Sequence, residues 1–327
     1  MFGLLIGFAA MATAAFLGQN QKELSQTEVK GPLTLDFNRW LKEHRYGRYN
    51  FPRLDLGEAG SYGGKLNKVD QINQYPVIFI HGNSDGALDN GTPYGTGWTK
   101  SIKYFLSQDY TSAELYATTW GDRVAANGPN RTHNCRDLLY LRTFIQAVLE
   151  YTEADRVNII SHSMGVTMAR PIIKGLKVQD INGVVCNLGP SLSSKIYTFI
   201  GIAGGNYGLC LCASAATETW EGCNTVNGFA PGTCRSANAT CTVDPENCQV
   251  NNYASLLDKA NKNLIREGRK TYAIWSTKDE IITNKNLVFG RYTSSFPTMD
   301  NHIEFHDYNH MDTKDKTVQQ QYEWVQH

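Results

Sequence analysis

The chain has 327 residues, of which 41% are hydrophobic, enough apolar material for one large core or two smaller ones. Lysine plus arginine equals aspartate plus glutamate at 31 each, so the formal net charge is zero. A neutral chain has no net field that draws it towards nucleic acid or an anionic membrane, and no nucleic-acid partner is expected.

The N-terminal segment is almost continuously apolar from Met1 to Gly18, and the first charged residue is Lys22. Small residues near its end fit signal-peptide cleavage after Ala14 or after Gly18, although the usual basic residue is missing before the apolar run. An uncleaved anchor is the alternative, but a bilayer core needs roughly 20 apolar residues. We interpret residues 1–18 as the signal peptide of a secreted, extracellular protein.

Residues 30–74 are rich in Gly, Asn and Tyr and predict an arm that wraps around the core. Beyond them, short apolar runs that predict strands alternate with amphipathic stretches that predict helices. The predicted strands cover residues 76–80, 114–119, 156–161, 196–202, 271–276 and 302–308, and the predicted helices 98–106, 134–151, 164–174 and 314–326. This alternation is typical of an α/β fold with a mostly parallel sheet. No repeat or linker divides residues 19–327, so we expect one domain.

Eight cysteines, an even number, fit disulfide bonds in an oxidising compartment. Residues 204–252 break the strand–helix pattern and predict a disulfide-stapled insertion. We expect one bridge from Cys135 to Cys186 and three within the insertion, although the sequence does not define those pairs. The insertion cysteines are Cys210, Cys212, Cys223, Cys234, Cys241 and Cys248. A zinc site is the weaker alternative, because the segment has no histidine and no C-x-x-C spacing at its start.

Three Asn-x-Thr sequons begin at Asn90, Asn130 and Asn238. They are potential glycan acceptors if the chain is secreted and the three loops are exposed.

A candidate nucleophile lies between a predicted strand and a predicted helix, in Ser161-His-Ser-Met-Gly165. This sequence approximates the G-x-S-x-G turn, which needs small residues two positions before and two after the serine. Gly165 meets that need, and Ser161 replaces the first glycine. A serine that merely caps the helix is the alternative. We predict that Ser163 is the nucleophile.

Asp279 and His310 each follow a predicted strand, and they come after Ser163 in the order serine, acid, histidine. We predict that His310 takes the proton of Ser163 and that Asp279 orients its imidazole. The nearest rival of Asp279 is Glu280. The rivals of His310 are His302, His306 and His327.

Two backbone N–H groups are predicted to bind the oxyanion, that of Asn83 after the first buried strand and that of Met164 after the nucleophile. A metal site is the alternative use of the C-terminal cluster His302, His306, Asp307, His310 and Asp312. His302 and His306 would lie on one side of a strand, but roughly 13 Å apart, too far for one ion. We expect no metal and no other cofactor.

Together these motifs resemble the class 2 lipase family, which includes secreted bacterial lipases and a longer, cysteine-bearing invertebrate branch. The resemblance covers most of residues 35–325 and rests on Phe37-Asn-Arg-Trp40, Gly60-Ser-Tyr-Gly-Gly64, Val77-Ile-Phe-Ile-His-Gly-Asn83, Asn158-Ile-Ile-Ser-His-Ser-Met-Gly165, Gly201-Ile-Ala-Gly-Gly-Asn206 and Ser276-Thr-Lys-Asp279. It implies an α/β-hydrolase fold, the triad Ser163, Asp279 and His310, and oxyanion amides at Asn83 and Met164. The departure is Ser161, where family members usually have glycine or alanine.

The same resemblance implies hydrolysis of acylglycerols or related carboxylic esters through an acyl-serine intermediate, with transient contact at a lipid interface. The insertion's Tyr207, Leu209, Leu211 and Trp220 suggest that it overhangs the site and shapes an acyl pocket. A non-catalytic binding or adhesion protein on the same fold and an acyltransferase are the alternatives. The sequence does not define the acyl chain length or the oligomeric state.

Overall fold

The computed structural model describes residues 29–214, 218–232, 241 and 253–327. The predicted signal peptide, the sequon asparagine Asn238 and the cysteines Cys234 and Cys248 lie outside these described residues. Within the described ranges, no helix has the length and apolar character needed to cross a bilayer.

A seven-stranded sheet forms the centre of the described chain. In spatial order its strands are β1 (Ser61–Tyr62), β3 (Leu115–Thr118), β2 (Val77–Ile80), β4 (Val157–His162), β7 (Ile196–Ile202), β8 (Lys270–Ser276) and β11 (Asn301–Phe305). Strand β1 pairs antiparallel with β3, and the other neighbours pair in parallel. The predicted α/β fold with a mostly parallel sheet is confirmed, and the N-terminal arm adds the antiparallel edge strand.

Helices cover both faces of this sheet, which is why its central strands are continuous apolar runs. The helices are α1 (Leu35–Glu43), α2 (Thr99–Leu106), α3 (Cys135–Thr152), α4 (Met164–Lys174), α5 (Ser255–Lys262), α6 (Asp312–Asp315) and α7 (Val318–Gln326). One apolar core joins the sheet to α1, α3, α4 and α5, and a second joins the opposite face to α2 and α7. Every residue of β2 and β4 is buried between them.

The C-terminal part of the chain differs from the prediction in two places. The predicted helix 314–326 is two helices, because the chain leaves helical geometry at Thr317, whose hydroxyl donates to the Thr313 carbonyl at 2.7 Å. Strand β11 ends at Phe305, three residues before the predicted end, and the chain then turns towards His310. Both differences shape the segment that carries His310.

A short hairpin that the sequence reading missed follows α4, with β5 (Lys177–Gln179) paired to β6 (Val185–Asn187). A disulfide joins Cys186 of this hairpin to Cys135 at the start of α3, the pair expected from the sequence. A second small hairpin pairs β9 (Leu287–Val288) with β10 (Arg291–Tyr292). These short pieces have too little periodic pattern to stand out in a sequence.

Disulfides also staple the predicted insertion. Cys210 is bonded to Cys241, and Cys212 to Cys223. The described part of the insertion consists of turns and short 3₁₀ helices, at Cys210–Ala213 and Glu221–Cys223. A segment of this kind buries little apolar surface of its own, so covalent links between its own turns hold it together.

Candidate active site

Ser163 is the whole connection between β4, which ends at His162, and α4, which begins at Met164. Its backbone has φ 54° and ψ −127°, a sparsely populated conformation for a residue with a side chain. The Ser163 amide donates to the Ile202 carbonyl of the neighbouring strand at 2.8 Å, which holds the turn in place. This strained strand–turn–helix is the geometry of a nucleophile elbow.

The two small residues that flank the elbow have different physical roles. A Cβ added to Gly165 would lie 2.5 Å from the carbonyl oxygens of both Ile80 and His81, so only glycine lets α4 approach β2 this closely. Ser161 is fully buried and donates its hydroxyl to the Ile200 carbonyl at 3.1 Å. The departure from glycine at position 161 is therefore accommodated by a hydrogen bond to the adjacent strand.

Asp279 and His310 meet directly, although 31 residues separate them in the chain. His310 Nδ1 lies 2.7 Å from Asp279 Oδ2, and both residues are buried. The other carboxylate oxygen of Asp279 accepts the amides of Ile281 and Ile282, at 2.9 and 2.8 Å. The carboxylate is thus fixed by its own turn and orients the imidazole through Nδ1.

The rival residues lie elsewhere. Glu280 accepts the backbone amide of His310 at 2.9 Å rather than its imidazole. His302 stacks on Trp275 with ring centroids 4.5 Å apart, and His306 lies at the surface 3.1 Å from the Thr277 hydroxyl. In the described part of the chain, no group of three or more His, Cys, Asp or Glu side chains is arranged to hold a metal ion.

His162 is a neighbour of the site that sequence reasoning missed. Its ring packs on His310 with centroids 4.6 Å apart, and its Nε2–H donates to the His310 carbonyl at 3.1 Å. Burial, with further effects from His310 and Lys314, lowers the pKa of His162 well below the usual value, so its imidazole is neutral. His162, the residue before Ser163, therefore supports His310 by ring packing and by a hydrogen bond to its backbone.

The loop after β2 brings Asn83 beside the elbow. A Cβ on Gly82 would lie 2.7 Å from Ser163 Cβ and 3.3 Å from Ser163 Oγ, which measures how close the loop runs to the serine. The Asn83 side chain donates to the Gly128 carbonyl at 2.9 Å and accepts from Arg131 at 2.7 Å. A loop far along the sequence thus holds Asn83, and no sequence motif marks Arg131 for that task.

His81 precedes this loop and has a structural role. Its Nδ1–H donates to the Gly82 carbonyl at 2.8 Å, and its Nε2 accepts the Trp120 amide at 3.0 Å. Burial is the main cause that lowers the pKa of His81 to about 3, so the ring is neutral. Since both ring nitrogens are engaged, His81 fixes the loop and takes no part in proton transfer.

A pocket of about 290 Å³ opens beside Ser163 and is apolar except near Asn83 and Arg131. Besides Met164 and the loop 128–131, its wall comes from the turn after Asp279 and from the described insertion. The lining side chains from these parts are Ile281, Ile282, Leu209, Leu211, Trp220 and Phe229, with the bonded Cys212 and Cys223. Tyr207, which the sequence grouped with the pocket, packs instead against Tyr253 and Arg291.

The order of the strands, the strained turn at Ser163 and the Asp279–His310 pair at the carboxyl ends of β4, β8 and β11 define an α/β-hydrolase. The sequence model of the family described as Lipase (class 2) matches residues 74–323. The chain therefore belongs to the class 2 lipase family, whose class of activity is lipolytic carboxylic-ester hydrolysis.

Two solved lipases are similar to the chain at low sequence identity. Lipase BlEst2 of Bacillus licheniformis in its mature form is 11% identical with a TM-score of 0.49, over 81% of this chain and 97% of that one. Aspergillus fumigatus lipase B is 16% identical with a TM-score of 0.43, over 79% of this chain. The alignment spans half the length of the Aspergillus protein.

Proposed function

We propose that the protein is a secreted serine carboxylic-ester hydrolase that cleaves acylglycerols or related esters through an acyl-serine intermediate. The observation that carries this proposal is the Asp279–His310 hydrogen bond of 2.7 Å, in one site with a serine held in a strained elbow. A buried carboxylate bonded to Nδ1 leaves Nε2 of the imidazole to act as the base.

In the proposed reaction, Ser163 Oγ attacks the ester carbonyl carbon while His310 Nε2 accepts the hydroxyl proton. The carbonyl oxygen gains the negative charge and is bound by the amides of Asn83 and Met164. The Met164 amide has no acceptor inside the helix, because it belongs to the first turn of α4. The alcohol leaves with the proton from His310, and the acyl-serine remains. Water then attacks the acyl carbon while His310 accepts its proton, and the acid is released as Ser163 regains its proton.

We further propose that the apolar pocket binds the acyl chain and that the insertion sets its length. The pocket's volume lies just below the roughly 300–1,000 Å³ usual for ligand sites, which favours short and medium acyl chains. Leu211 and Ile281 are about two-fifths exposed at its rim, as a group facing a lipid interface would be. Triacylglycerol remains one candidate substrate among such esters.

Secretion is supported by the disulfides, since such bonds persist in oxidising compartments. We propose that residues 1–18 are removed and that 19–327 form one α/β-hydrolase domain with an inserted segment at 204–252. The sequon residues Asn90 and Asn130 are exposed and accessible to a glycan. Glycosidase treatment of the protein from culture medium tests this glycosylation. We expect the treatment to lower the mass of the wild type, and to lower it less in the Asn90→Gln and Asn130→Gln variants. An unchanged mass of the wild type contradicts the proposal.

The test of the proposed function is hydrolysis of p-nitrophenyl esters from butyrate to palmitate by the purified protein and by its Ser163→Ala variant. We expect the wild type to be active and the variant to lose roughly 10⁴-fold or more in kcat. Added alcohols distinguish hydrolysis from acyl transfer by their ester products. A wild type that is inert on every ester, including emulsified triacylglycerol, would contradict the proposal and favour a binding protein on this fold.

A further inference from the structure

Two buried charged side chains connect the segment that carries His310 with the loop that carries Asn83. Lys314 Nζ donates to Asp85 Oδ2 at 2.8 Å, and the two side chains are 0% and 3% exposed. Lys314 lies one helical turn after His310, and Asp85 lies two residues after Asn83. This ion pair therefore bridges the two segments that must act together on one ester group.

The Asp85 side of the bridge fixes the turn in which Asn83 lies. The Asp85 amide donates to the Gly82 carbonyl at 3.4 Å, so Asn83 occupies the middle of a turn that Asp85 closes. Asp85 Oδ1 accepts the amides of Gly86 and Gly97 at 2.8 and 2.9 Å. Burial alone would raise the pKa of this carboxyl, but the Lys314 ammonium holds it below its usual value, and the group is ionised.

The Lys314 side of the bridge fixes the segment of His310. The His310 carbonyl accepts from the Thr313 hydroxyl at 2.6 Å and from His162 Nε2 at 3.1 Å, so its backbone is tied to the start of α6. From the same short helix Lys314 extends into the core, where it also donates to the Thr96 hydroxyl at 3.1 Å. Its ammonium lies 5.3 Å from the centroid of a Trp98 ring.

We propose that Lys314 and Asp85 are positioning residues whose ion pair sets the separation between the His310 imidazole and the oxyanion-binding amide of Asn83. This inference rests on the proposed function, in which the imidazole accepts a proton while that amide meets the developing negative charge. Both steps need donors that are already in place before the reaction, and an error of about 1 Å is costly. A pair of apolar side chains would join the segments but would not fix their mutual direction.

Both side chains are buried and neither lines the pocket beside Ser163, so the effect must appear in the rate of the chemical step rather than in binding. We expect Lys314→Met to lower kcat for p-nitrophenyl butyrate by roughly tenfold or more at nearly unchanged KM. Inhibition by butylboronic acid, which forms a tetrahedral adduct with the serine and needs the same amide, should weaken in parallel. A variant that had merely lost stability would keep both values when assayed well below its melting temperature.

A matched control is available in Lys174, the other buried lysine among the described residues. The Lys174 side chain on α4 is as buried as that of Lys314 and lies 3.1 Å from Glu267, but this pair connects α4 to the loop before β8 and contacts neither the segment of His310 nor the loop of Asn83. Removal of either lysine leaves a buried carboxylate with less compensation and should lower the free energy of unfolding. We expect Lys174→Met to keep wild-type kcat, so that the two effects separate.

Two further variants cover the case in which Lys314→Met does not fold. Asp85→Asn keeps an acceptor for the loop amides. The double variant, Lys314→Met with Asp85→Asn, removes both charges, so no unpaired charge is left buried. We expect the double variant to regain stability while kcat stays low. Recovery of wild-type kcat in the double variant, or wild-type kcat in Lys314→Met, overturns the proposal. If the wild type hydrolyses no ester, or Ser163→Ala stays active, the proposed function itself fails.

Discussion

At the scale of single residues, two adjacent carboxylates meet His310 in different ways. Asp279 accepts from the imidazole, and Glu280 accepts from the backbone amide of the same residue. Only the first contact determines which ring nitrogen holds the proton. The two positions therefore make a matched pair for testing the triad.

We predict that Asp279→Asn lowers kcat for p-nitrophenyl butyrate by about 10⁴-fold, because the amide favours the wrong tautomer of the imidazole. Glu280→Gln still offers an oxygen to the His310 amide, so kcat should change only a few-fold. Steady-state rates of the two variants at one neutral pH measure this. Equal losses in both would show that the acid has been misassigned.

The flanks of the elbow give a second prediction at this scale. Gly165→Ala places a methyl group against two backbone carbonyls, which cannot move without shifting β2 or α4, and should cost about 1–3 kcal/mol as well as most of kcat. Ser161→Ala loses only its bond to the Ile200 carbonyl and should cost about 1 kcal/mol with kcat kept. Urea unfolding and ester hydrolysis report the two effects. An active, stable Gly165→Ala protein would contradict the close approach of α4.

At the scale of elements, the sequence predicts the parts of the chain that are regular. The β2 run, Val77 to Ile80, is buried on both faces, and α4 begins and ends at the predicted residues, because a buried strand or helix leaves a clear apolar pattern. The hairpin β5–β6 and the break at Thr317 leave no such pattern. They depend on contacts with residues far away in the chain, such as Cys135.

The candidate site likewise has residues that the sequence predicts and residues that it does not. Ser163, Asp279 and His310 could be proposed from chain order and strand ends, since the carboxyl ends of parallel strands meet at one edge. The roles of Arg131, which holds Asn83, and of the Lys314–Asp85 pair could not, because long-range side-chain contacts follow no local spacing. Tyr207 shows the converse error, since an aromatic residue inside the insertion packs away from the pocket.

The insertion gives a prediction about chain-length preference. We expect Cys212→Ser with Cys223→Ser to raise activity on laurate relative to butyrate esters, because that disulfide forms part of the pocket wall. Removal of the Cys135–Cys186 bond, which closes a longer loop, should cost more stability, about 4 against about 3 kcal/mol, but leave the ratio unchanged. The ratio of kcat/KM for the two esters is the measurement. If the ratio changes on loss of the Cys135–Cys186 bond but not on loss of the Cys212–Cys223 bond, the insertion does not set the chain-length preference.

At the scale of the whole molecule, buried histidines make the stability of the fold sensitive to acid, although the formal net charge is zero. His81, His133 and His162 are fully buried, and burial is the main cause of the lowered pKa of each one. The pKa of His133 falls to about 4. Its ring connects α4 to the insertion by hydrogen bonds to the Thr167 hydroxyl at 2.6 Å and to the Asn227 carbonyl at 2.8 Å. Folding therefore keeps three imidazoles neutral.

The sign of the resulting pH dependence follows from these lowered pKa values. Below about pH 6.5 the unfolded chain binds protons at the three histidines that the folded chain does not, so the free energy of unfolding falls as the pH falls. Each histidine contributes up to about 1.4 kcal/mol per pH unit until its folded pKa is reached. Buried carboxylates with lowered pKa, such as Glu267, add losses only at lower pH. The window from about pH 6.5 to about pH 5 thus reports the histidines.

We predict that the slope of the unfolding free energy against pH, measured by urea unfolding, rises towards the sum for three histidines as the pH falls to about 5, and that His133→Asn reduces this slope by about one third. His306→Asn, which removes an exposed imidazole, is the control for the substitution itself. Since unfolding in this range takes up protons, the melting temperature should also fall from neutral to mildly acidic pH. A slope that His133→Asn does not change would mean that this imidazole is already protonated in the folded protein, and the link between α4 and the insertion would then be an ionic one.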